Sequence, residues 1–315
     1  MKIVLLDSAT LGDDLDLSPL DKYGEVVAYP STAPELIKER LEGADVVLVN
    51  KVKLNETTVG DNETLKLVCI AATGFDNIDL EFMKKKGVGV CNVVGYSTDS
   101  VAQLTVSMVL SLATHLPEYN EFVESGEYSR GSVANKLTPV YHEIAGKTWG
   151  IVGLGNIGKK VAAVAEAFGC KVIANKRTPV EGYDCTDIDT LCREADIITV
   201  HTPLNDGTRN LINEERIAMM KPDAIVVNVA RGAVCDEAAL CAAVKAGKLG
   251  GIGVDVYSME PFREDGPYFE VKEMANVCLT PHMAWGSAEA RKRCLLDMMQ
   301  SIDAFLKGEK RSRLV

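Results

Sequence analysis

The chain has 315 residues, of which 47% are hydrophobic and 25% are charged, so it is long enough for two globular domains and too apolar to be disordered. Its formal net charge of −11 and its pI near 5.0 argue against a surface for nucleic acid or for a membrane, so any anionic ligand has to be held by local positive groups. The apolar run at the N-terminus is too short for a signal peptide and is interrupted by Asp7, which favours a cytoplasmic location.

The first hundred residues alternate short apolar runs with polar stretches of helical spacing. The apolar runs predict strands at 2–6, 25–28, 46–49, 67–70 and 89–91. Residues 34–42 predict a helix that has Pro34 in its first turn. Alternation of this kind predicts a parallel sheet covered by helices.

A long helical pattern runs from Asp99 to about Glu127, and a second alternating array starts at Lys147 and ends near Trp285. The last thirty residues are amphipathic and predict a helix that returns to pack on the first domain. We therefore expect an α/β fold with two doubly wound parallel-sheet (Rossmann/flavodoxin-like) domains separated by a cleft. The strands predicted for the second array are 147–152, 171–174, 197–200, 224–228, 251–256 and 277–280.

Nine cysteines are scattered along the chain, and they contain no CxxC pair. This pattern predicts reduced, mostly buried thiols rather than disulfides or a zinc site, and we expect no metal. A catalytic cysteine stays open as an alternative, although no single thiol stands out.

A glycine-rich turn, GLGNIG at 153–158, joins the first strand of the second array to a helix. Gly153 allows the turn, Gly155 lets backbone N–H groups approach a diphosphate, and Gly158 permits close packing of helix and strand. The anion would sit at a helix N-terminus, where N–H groups are open and the helix dipole favours negative charge. A GxGxxG motif alone is weak, but within a complete strand–turn–helix–strand unit it predicts a dinucleotide site.

The strand at 171–174 is followed by Asn175-Lys176-Arg177, at the position where an Asp or Glu would bind the adenosine ribose of NAD. No carboxylate repels a 2′-phosphate there, and two cations offer it positive charge. This favours NADP(H) as the cofactor. In the alternative, both cations point into solvent, Asn175 binds the ribose hydroxyls, and NAD(H) is used.

Arg231, Glu260 and His282 fall at or just after the ends of predicted strands. Ligands of open α/β sheets bind outside the carboxyl ends of strands, so the three can converge beside the nicotinamide. A histidine exchanges a proton near neutral pH, a neighbouring carboxylate orients its ring, and an arginine grips a substrate carboxylate. Each taken singly has a structural explanation, but their joint placement predicts an active site.

The chain resembles the D-isomer-specific 2-hydroxyacid dehydrogenases over essentially its whole length. VNKVKL at 49–54 and the ATGFDN loop make it most similar to hydroxypyruvate/glyoxylate reductases and glycerate dehydrogenases. The segments that match, in the family's order, are AATGFDNIDL at 71–80, GYSTDSVAQLTVSMVLSL at 95–112, GKTWGIVGLGNIGKKVA at 146–162, HTPLNDGTRNLIN at 201–213, NVARGAVCDEAAL at 228–240, GVDVYSMEP at 253–261 and TPHMAWGS at 280–287.

The resemblance implies a discontinuous substrate (catalytic) domain at 1–98 plus 287–315 and a dinucleotide-binding Rossmann domain at 99–286. It also implies a homodimer built largely on the cofactor domain. The activity implied is transfer of a hydride between a nicotinamide cofactor and a small 2-keto acid such as hydroxypyruvate or glyoxylate. The alternatives are a dinucleotide-sensing, corepressor-like binding protein and a phosphoglycerate dehydrogenase.

The resemblance also implies a role for each site residue. Arg231 should bind and polarise the substrate, and His282 should donate the proton, with Glu260 as its partner. The backbone at Thr73 and Gly74 should cradle the substrate carboxylate, with Lys51 as a possible helper. The residues expected to contact the cofactor are Gly153, Gly155, Asn156, Ile157, Gly158, Asn175, Lys176, Arg177, His201, Thr202, Pro203, Thr208, Val229, Ala230, Asp255 and Ala284.

Overall fold

The computed structural model describes all 315 residues, and the chain divides into two compact units. The first unit is Met1–Ser97 together with Gly286–Val315, and the second is Thr98–Trp285. The strands β1 to β12 are, in chain order, Lys2–Leu5, Glu25–Ala28, Val46–Val49, Leu67–Ile70, Gly89–Cys91, Thr148–Val152, Lys171–Asn175, Asp184–Cys185, Ile197–Val200, Ile225–Asn228, Gly251–Val254 and Val277–Leu279. The α-helices α1 to α12 are Ile37–Arg40, Glu56–Val59, Leu80–Lys86, Thr98–Thr114, Leu116–Glu124, Glu127–Arg130, Asn156–Ala167, Ile188–Glu194, Glu214–Met219, Glu237–Lys245, Pro267–Val271 and Ala288–Leu306.

Both units are built on parallel sheets, which confirms the predicted α/β class and the doubly wound topology. The first sheet has the strand order β2-β1-β3-β4-β5, and the second has β12-β11-β10-β9-β6-β7-β8. In each sheet the first strands follow one another toward one edge. The chain then returns to the middle of the sheet, and the later strands follow one another toward the opposite edge. That return creates a switch point, between β1 and β3 in the first unit and between β6 and β9 in the second.

The central strands consist of buried, mostly β-branched residues because helices cover both faces of a doubly wound sheet. All four residues of β3, β4 and β9 are buried. Trp149 in β6 is fully buried, and its indole Nε1 donates to Thr199 Oγ1 in β9 at 3.1 Å. Full burial of one such apolar side chain contributes about 1.5–3 kcal/mol. No helix in the structure has both the length and the apolar character that crossing a bilayer requires.

The helical pattern from Asp99 to about Glu127 does not form one continuous helix, but is divided between α4, α5 and the start of α6. Helix α4 ends at Thr114, and His115 takes a left-handed φ of 52° before α5 begins. Pro117 lacks an N–H donor and therefore fits only the first turn of a new helix. The predicted helix at 34–42 is also shorter, with a 3-10 turn at Pro34–Leu36 followed by the single turn α1.

The C-terminal tail pairs with the edge of the first sheet. Leu314 N donates to Val90 O at 2.8 Å, and Cys91 and Arg313 form an antiparallel bridge. Gly89 leaves room for this tail, since a Cβ there would meet the Arg313 guanidinium. The tail thus covers backbone groups of an edge strand that would otherwise be open to pairing with another chain.

Candidate functional site

The glycine turn of the second unit lies between β6 and α7, at the switch point of its sheet. Gly153 has a φ of +98°, and a Cβ there would lie 2.7 Å from Thr202 N. A Cβ at Gly158 would meet the carbonyl oxygen of Gly153. The fold itself therefore requires glycine at both positions.

Gly155 differs from these two glycines, because a Cβ added there would have no neighbour within 4 Å. Its φ of −89° is also open to any residue. Gly155 is the N-cap of α7 and has no side chain, so no side-chain cap satisfies the first N–H groups of the helix, which include those of Asn156 and Ile157. A glycine that the protein does not need for its own packing, at an uncapped helix start, fits the approach of a diphosphate.

His201 follows β9 beside this turn, and it has an unusual environment. Both ring nitrogens are buried without a hydrogen-bond partner, although other atoms of the residue are partly exposed. Burial lowers the pKa of His201 to about 3, so the imidazole is neutral. Buried polar atoms are almost always paired in native proteins. Two orphaned nitrogens next to Gly153 therefore mark a place for a ligand atom or an ordered water.

The loop after His201 is closed by its own hydrogen bonds. Thr208 Oγ1 donates to Pro203 O at 2.7 Å and accepts from Asn205 N at 2.8 Å. Thr202 and Pro203 are thereby held against the glycine turn, where the backbone of Thr202 approaches Gly153. The side chain of Thr208 thus stabilises the loop, and its predicted cofactor contact stays a prediction.

The side chains of three consecutive residues at the end of β7, Asn175, Lys176 and Arg177, have different environments. Asn175 Nδ2 donates to Thr186 O at 3.1 Å, which ties β7 to the chain after β8. Lys176 Nζ donates to Leu154 O at 3.1 Å, so this ammonium group folds back onto the glycine turn. Arg177 is exposed, and its guanidinium makes no hydrogen bond or ion pair within the protein. Of the two cations, Arg177 is therefore the one whose donors are open to a ligand.

His282 and Glu260 form a close pair. His282 Nδ1 lies 2.7 Å from Glu260 Oε2, and the other carboxylate oxygen accepts from Tyr257 N at 3.1 Å. The side chains are 22% and 33% exposed, so the pair is within reach of a small solute. The carboxylate engages Nδ1 and fixes the ring orientation, which leaves Nε2 as the nitrogen for proton exchange.

Asp255 holds the loop that carries His282. His282 has a left-handed φ of 52°, a costly conformation for a residue with a Cβ. The buried Asp255 carboxylate accepts from Thr280 Oγ1 at 2.6 Å, Met283 N at 2.8 Å and Ala284 N at 3.0 Å, on both sides of the histidine. Burial raises the pKa of Asp255, and these hydrogen bonds oppose that rise. Its predicted contact with the cofactor stays a prediction, since the hydrogen bonds that its carboxylate accepts all come from residues 280–284.

Arg231 lies in a turn that is fixed from within. Asn228 Nδ2 donates to Arg231 O at 2.9 Å, and Asn228 Oδ1 accepts from Ala230 N at 3.0 Å. The guanidinium Nη1 donates to Ala230 O at 2.8 Å, while Val229 is buried. The next residue, Gly232, packs so closely on the main chain of Tyr257 and Ser258 that a Cβ would collide with it.

The structure thus brings the three predicted chemical residues to one edge of the second sheet. They follow β10, β11 and β12, which are neighbours in the sheet. The Arg231 turn touches the segment that leads to Glu260, and Glu260 touches His282. Sequence reasoning missed the residues that support them, namely Asn228, Tyr257 and Thr280. Each is a polar side chain at or shortly after the end of a strand, a signal that does not say which group it bonds to.

The predicted substrate-binding residues of the first unit lie in the loops that follow β3 and β4. Thr73 Oγ1 donates to Val93 O at 2.8 Å, which fixes that side chain. The main-chain N–H groups of Thr73 and Gly74 donate to no acceptor in the protein. Lys51 is exposed in the preceding loop. No group of three or more His, Cys, Asp or Glu residues in the structure is placed to hold a metal ion.

Comparison with known proteins identifies the family. The model of the D-isomer specific 2-hydroxyacid dehydrogenase, NAD binding domain, matches residues 106–284. The chain is 36% identical over 309 residues to a glycerate dehydrogenase of Methylorubrum extorquens, with 98% of this chain and 97% of the relative covered. It is 33% identical over 317 residues to a hydroxypyruvate reductase of Blautia hydrogenotrophica, with 98% of each covered.

A solved structure extends the likeness to the whole fold. An acyclic imino acid reductase in complex with NADPH and D-Arg superimposes with a TM-score of 0.85 at 28% identity, and 100% of each chain is covered. The sequence motifs, the two doubly wound units and these matches agree. The chain therefore belongs to the D-isomer specific 2-hydroxyacid dehydrogenase family, whose members are oxidoreductases that act on 2-hydroxy acids with a nicotinamide cofactor.

Proposed function

We propose that this protein reduces small 2-keto acids, such as hydroxypyruvate or glyoxylate, and prefers NADP(H) to NAD(H). The observation that carries the proposal is the His282–Glu260 pair at 2.7 Å, on the same sheet edge as the Arg231 turn. The test is a panel of 2-keto acids assayed with both coenzymes, in which turnover is measured as the loss of NAD(P)H absorbance. A protein that consumes neither coenzyme with any member of the panel would refute the assignment.

The side chains divide the chemistry among them. Arg231 grips the substrate carboxylate and polarises the carbonyl through its guanidinium N–H groups. His282 donates a proton from Nε2 to the carbonyl oxygen as negative charge develops there. Glu260 keeps Nδ1 engaged and fixes the orientation of the ring. A bound dihydronicotinamide supplies the hydride.

The first unit contributes a cradle for the carboxylate in this proposal. The open N–H groups of Thr73 and Gly74 suit an anion, because two adjacent main-chain donors form a small concave site of positive potential. Lys51 adds a positive charge in the preceding loop. These roles rest on the family resemblance and on the absence of internal acceptors for the two N–H groups.

The two orphaned nitrogens of His201 and the open space at Gly155 fit a dinucleotide on the second unit. Asn156, Ile157 and Gly158 would present the helix N-terminus to the diphosphate. Arg177 supports a 2′-phosphate on the adenosine ribose, since its five donors match phosphate geometry and no protein group uses them. Lys176 contributes less in this proposal, because its ammonium is already bonded to Leu154 O.

Replacing Arg177 with Asp is expected to lower kcat/KM for NADPH by about 10- to 100-fold, because a charge-assisted hydrogen bond is lost and a repulsive charge is added. The value for NADH should change much less. Steady-state kinetics with both coenzymes at saturating keto acid measure the difference. Lys176→Ala serves as the matched control, with a smaller effect expected. Equal losses for both coenzymes in Arg177→Asp would remove the NADP(H) preference.

We also propose a homodimer, built on the segment 116–141 of the second unit. No residue of α5 or α6 is buried, so this segment has no core of its own. Its exposed apolar side chains, several of them more than half exposed, are Leu116, Val123, Tyr128, Val133, Leu137, Val140 and Tyr141. A patch of this kind on a folded chain marks a protein interface. The second copy is the occupant that the family resemblance implies.

The Leu137→Asp variant is expected to shift the protein from dimer to monomer in sedimentation velocity, because it places a charge in a desolvated contact. Leu306→Asp is the matched control, since Leu306 is also an exposed leucine, at 58% against 71% for Leu137, but lies in the first unit. That control should leave the mass unchanged. A monomeric wild-type protein, or a Leu137→Asp variant of unaltered mass, would contradict the proposed interface.

A further inference from the structure

One buried carboxylate accepts hydrogen bonds from the main chain of the Lys51 loop, which comprises residues 50–54 of the first unit. Asp7 follows β1 and is 5% exposed. Its Oδ2 accepts from the main-chain N–H groups of Lys51 at 2.6 Å and Val52 at 3.1 Å, and Asn50 N donates to both carboxylate oxygens at 3.0 and 3.1 Å. Three consecutive N–H groups thus converge on one side chain. Thr10 reinforces this contact, since its hydroxyl donates to Asp7 O at 2.7 Å and accepts from Asn50 Nδ2 at 3.0 Å.

Asn77 also forms hydrogen bonds with the Lys51 loop. Asn77 Nδ2 donates to Val52 O at 2.9 Å and more weakly to Asn50 O at 3.3 Å. The main chains are joined as well, because Leu54 N donates to Asn77 O at 2.9 Å and Leu54 and Ile78 form a parallel bridge. Asp7 therefore accepts from the N–H groups of residues 50–52, and the Asn77 side chain donates to the carbonyl groups of Asn50 and Val52.

Asn77 belongs to the loop that carries Thr73 and Gly74, the proposed carboxylate cradle. That loop is in turn tied to the chain after β5, since Asn92 Nδ2 donates to Thr73 O at 2.7 Å. The two loops that the sequence singled out, VNKVKL and ATGFDN, are thus joined by side-chain hydrogen bonds into one body. Neither loop has this rigidity from regular secondary structure.

We propose that Asp7 and Asn77 are positioning residues, which fix the Lys51 loop at a set distance from the open N–H groups of Thr73 and Gly74 and so determine the affinity for the 2-keto acid. The inference rests on the proposed function, because it takes those groups as the substrate-binding elements. The side-chain hydrogen bonds of both residues are made within the first unit. The effect of changing them should therefore fall on the keto acid and not on NAD(P)H.

The Asn77→Ala variant is expected to raise KM for the keto acid by about 10- to 100-fold with little change in kcat, since it loosens ground-state binding. A purely structural role would give a different result, because a smaller folded fraction lowers apparent kcat and leaves KM unchanged. Asn77→Asp should behave like the alanine variant, since it has the same shape but lacks the two donors. KM for NADPH should stay at the wild-type value in both.

Asn55→Ala is the matched control. Asn55 caps α2 in the stretch of chain that follows the loop, by accepting from Thr58 N at 3.0 Å, and its loss costs about 1 kcal/mol of stability without removing a hydrogen bond of Asp7 or Asn77. Its KM for the keto acid should be that of the wild type. An Asn77→Ala variant whose KM matches that of Asn55→Ala would overturn the inference.

Hydrogen exchange measured by mass spectrometry gives a readout that does not depend on activity. In Asp7→Asn and Asn77→Ala, the peptide covering residues 50–54 should exchange faster while the strands β3 and β4 keep their protection. Unchanged exchange there would also overturn the inference. A wild-type protein that turns over no 2-keto acid would refute the proposed function instead, and the exchange result would still show whether the two side chains hold the loop.

Discussion

The His282→Ala variant is expected to reduce 2-keto acids about 10²- to 10⁴-fold more slowly than the wild type in kcat, because the proton donor to the carbonyl oxygen is gone. Binding of NADPH should be retained, since the glycine turn and the end of β7 are formed by other residues. The measurement is the initial rate of NADPH oxidation with hydroxypyruvate or glyoxylate, with NADPH affinity taken from its fluorescence on binding. The loss of rate without loss of coenzyme binding is the expected signature.

Glu260→Gln separates the two members of the pair. Glutamine keeps the size of the side chain and can still accept from Tyr257 N, but it places no negative charge beside His282 Nδ1. Its kcat should fall by less than that of His282→Ala, since the ring itself remains. If His282→Ala kept the wild-type rate, proton donation by this residue would be excluded. If the wild type also bound NADPH without turnover, the dinucleotide-sensing alternative would gain support.

The fold was largely predictable because the strands of a doubly wound sheet occur in the sequence as short apolar runs. The strands predicted at 46–49, 67–70, 89–91 and 197–200 have the bounds that the structure gives them. Every residue in these strands is buried and, apart from Thr199 and Gly89, has an apolar side chain, so the ends of the runs are sharp. The two-residue strand β8 escaped prediction, because Asp184 and Cys185 carry no apolar pattern.

The broken helix after Asp99 shows where local pattern fails. Apolar residues recur at helical spacing throughout 101–116, and histidine as a residue type does not require the left-handed φ that His115 adopts. The break follows from Pro117, whose ring is incompatible with an uninterrupted helix.

The sequence predicted that three polar side chains follow neighbouring strands, as the structure has them, but it did not predict the hydrogen bonds that hold the loops. Arg231, Glu260 and His282 stand out because each follows a strand and each has a side chain suited to acid–base chemistry or anion binding. Asp255 and Asn77 act through hydrogen bonds to backbone groups of distant segments, and those partners are set by the tertiary fold. A sequence shows which side chains are present and gives no direct sign of which main-chain donors they will meet.

The second large effect is expected at Arg231. In Arg231→Gln, kcat/KM for the keto acid should fall by roughly 10²- to 10³-fold. The substitution removes both the proposed bidentate, charged contact to the substrate carboxylate and the polarisation of the substrate carbonyl. Arg231→Lys restores the charge but not the planar fork, so it should recover only part of that loss. Steady-state kinetics at saturating NADPH, with the keto acid varied, measure both variants.

The fold around Arg231 makes this a test of chemistry and not of folding. The turn is fixed by Asn228 through main-chain contacts at Ala230 and Arg231, and these do not use the guanidinium. The guanidinium itself bonds within the protein to Ala230 O, an adjacent carbonyl, so its replacement leaves no buried partner unpaired elsewhere. NADPH affinity and thermal stability should therefore stay close to wild type in both variants. If Arg231→Gln kept the wild-type KM and kcat, the substrate carboxylate would have to be bound by other groups, and the open N–H groups of Thr73 and Gly74 would be the first to examine.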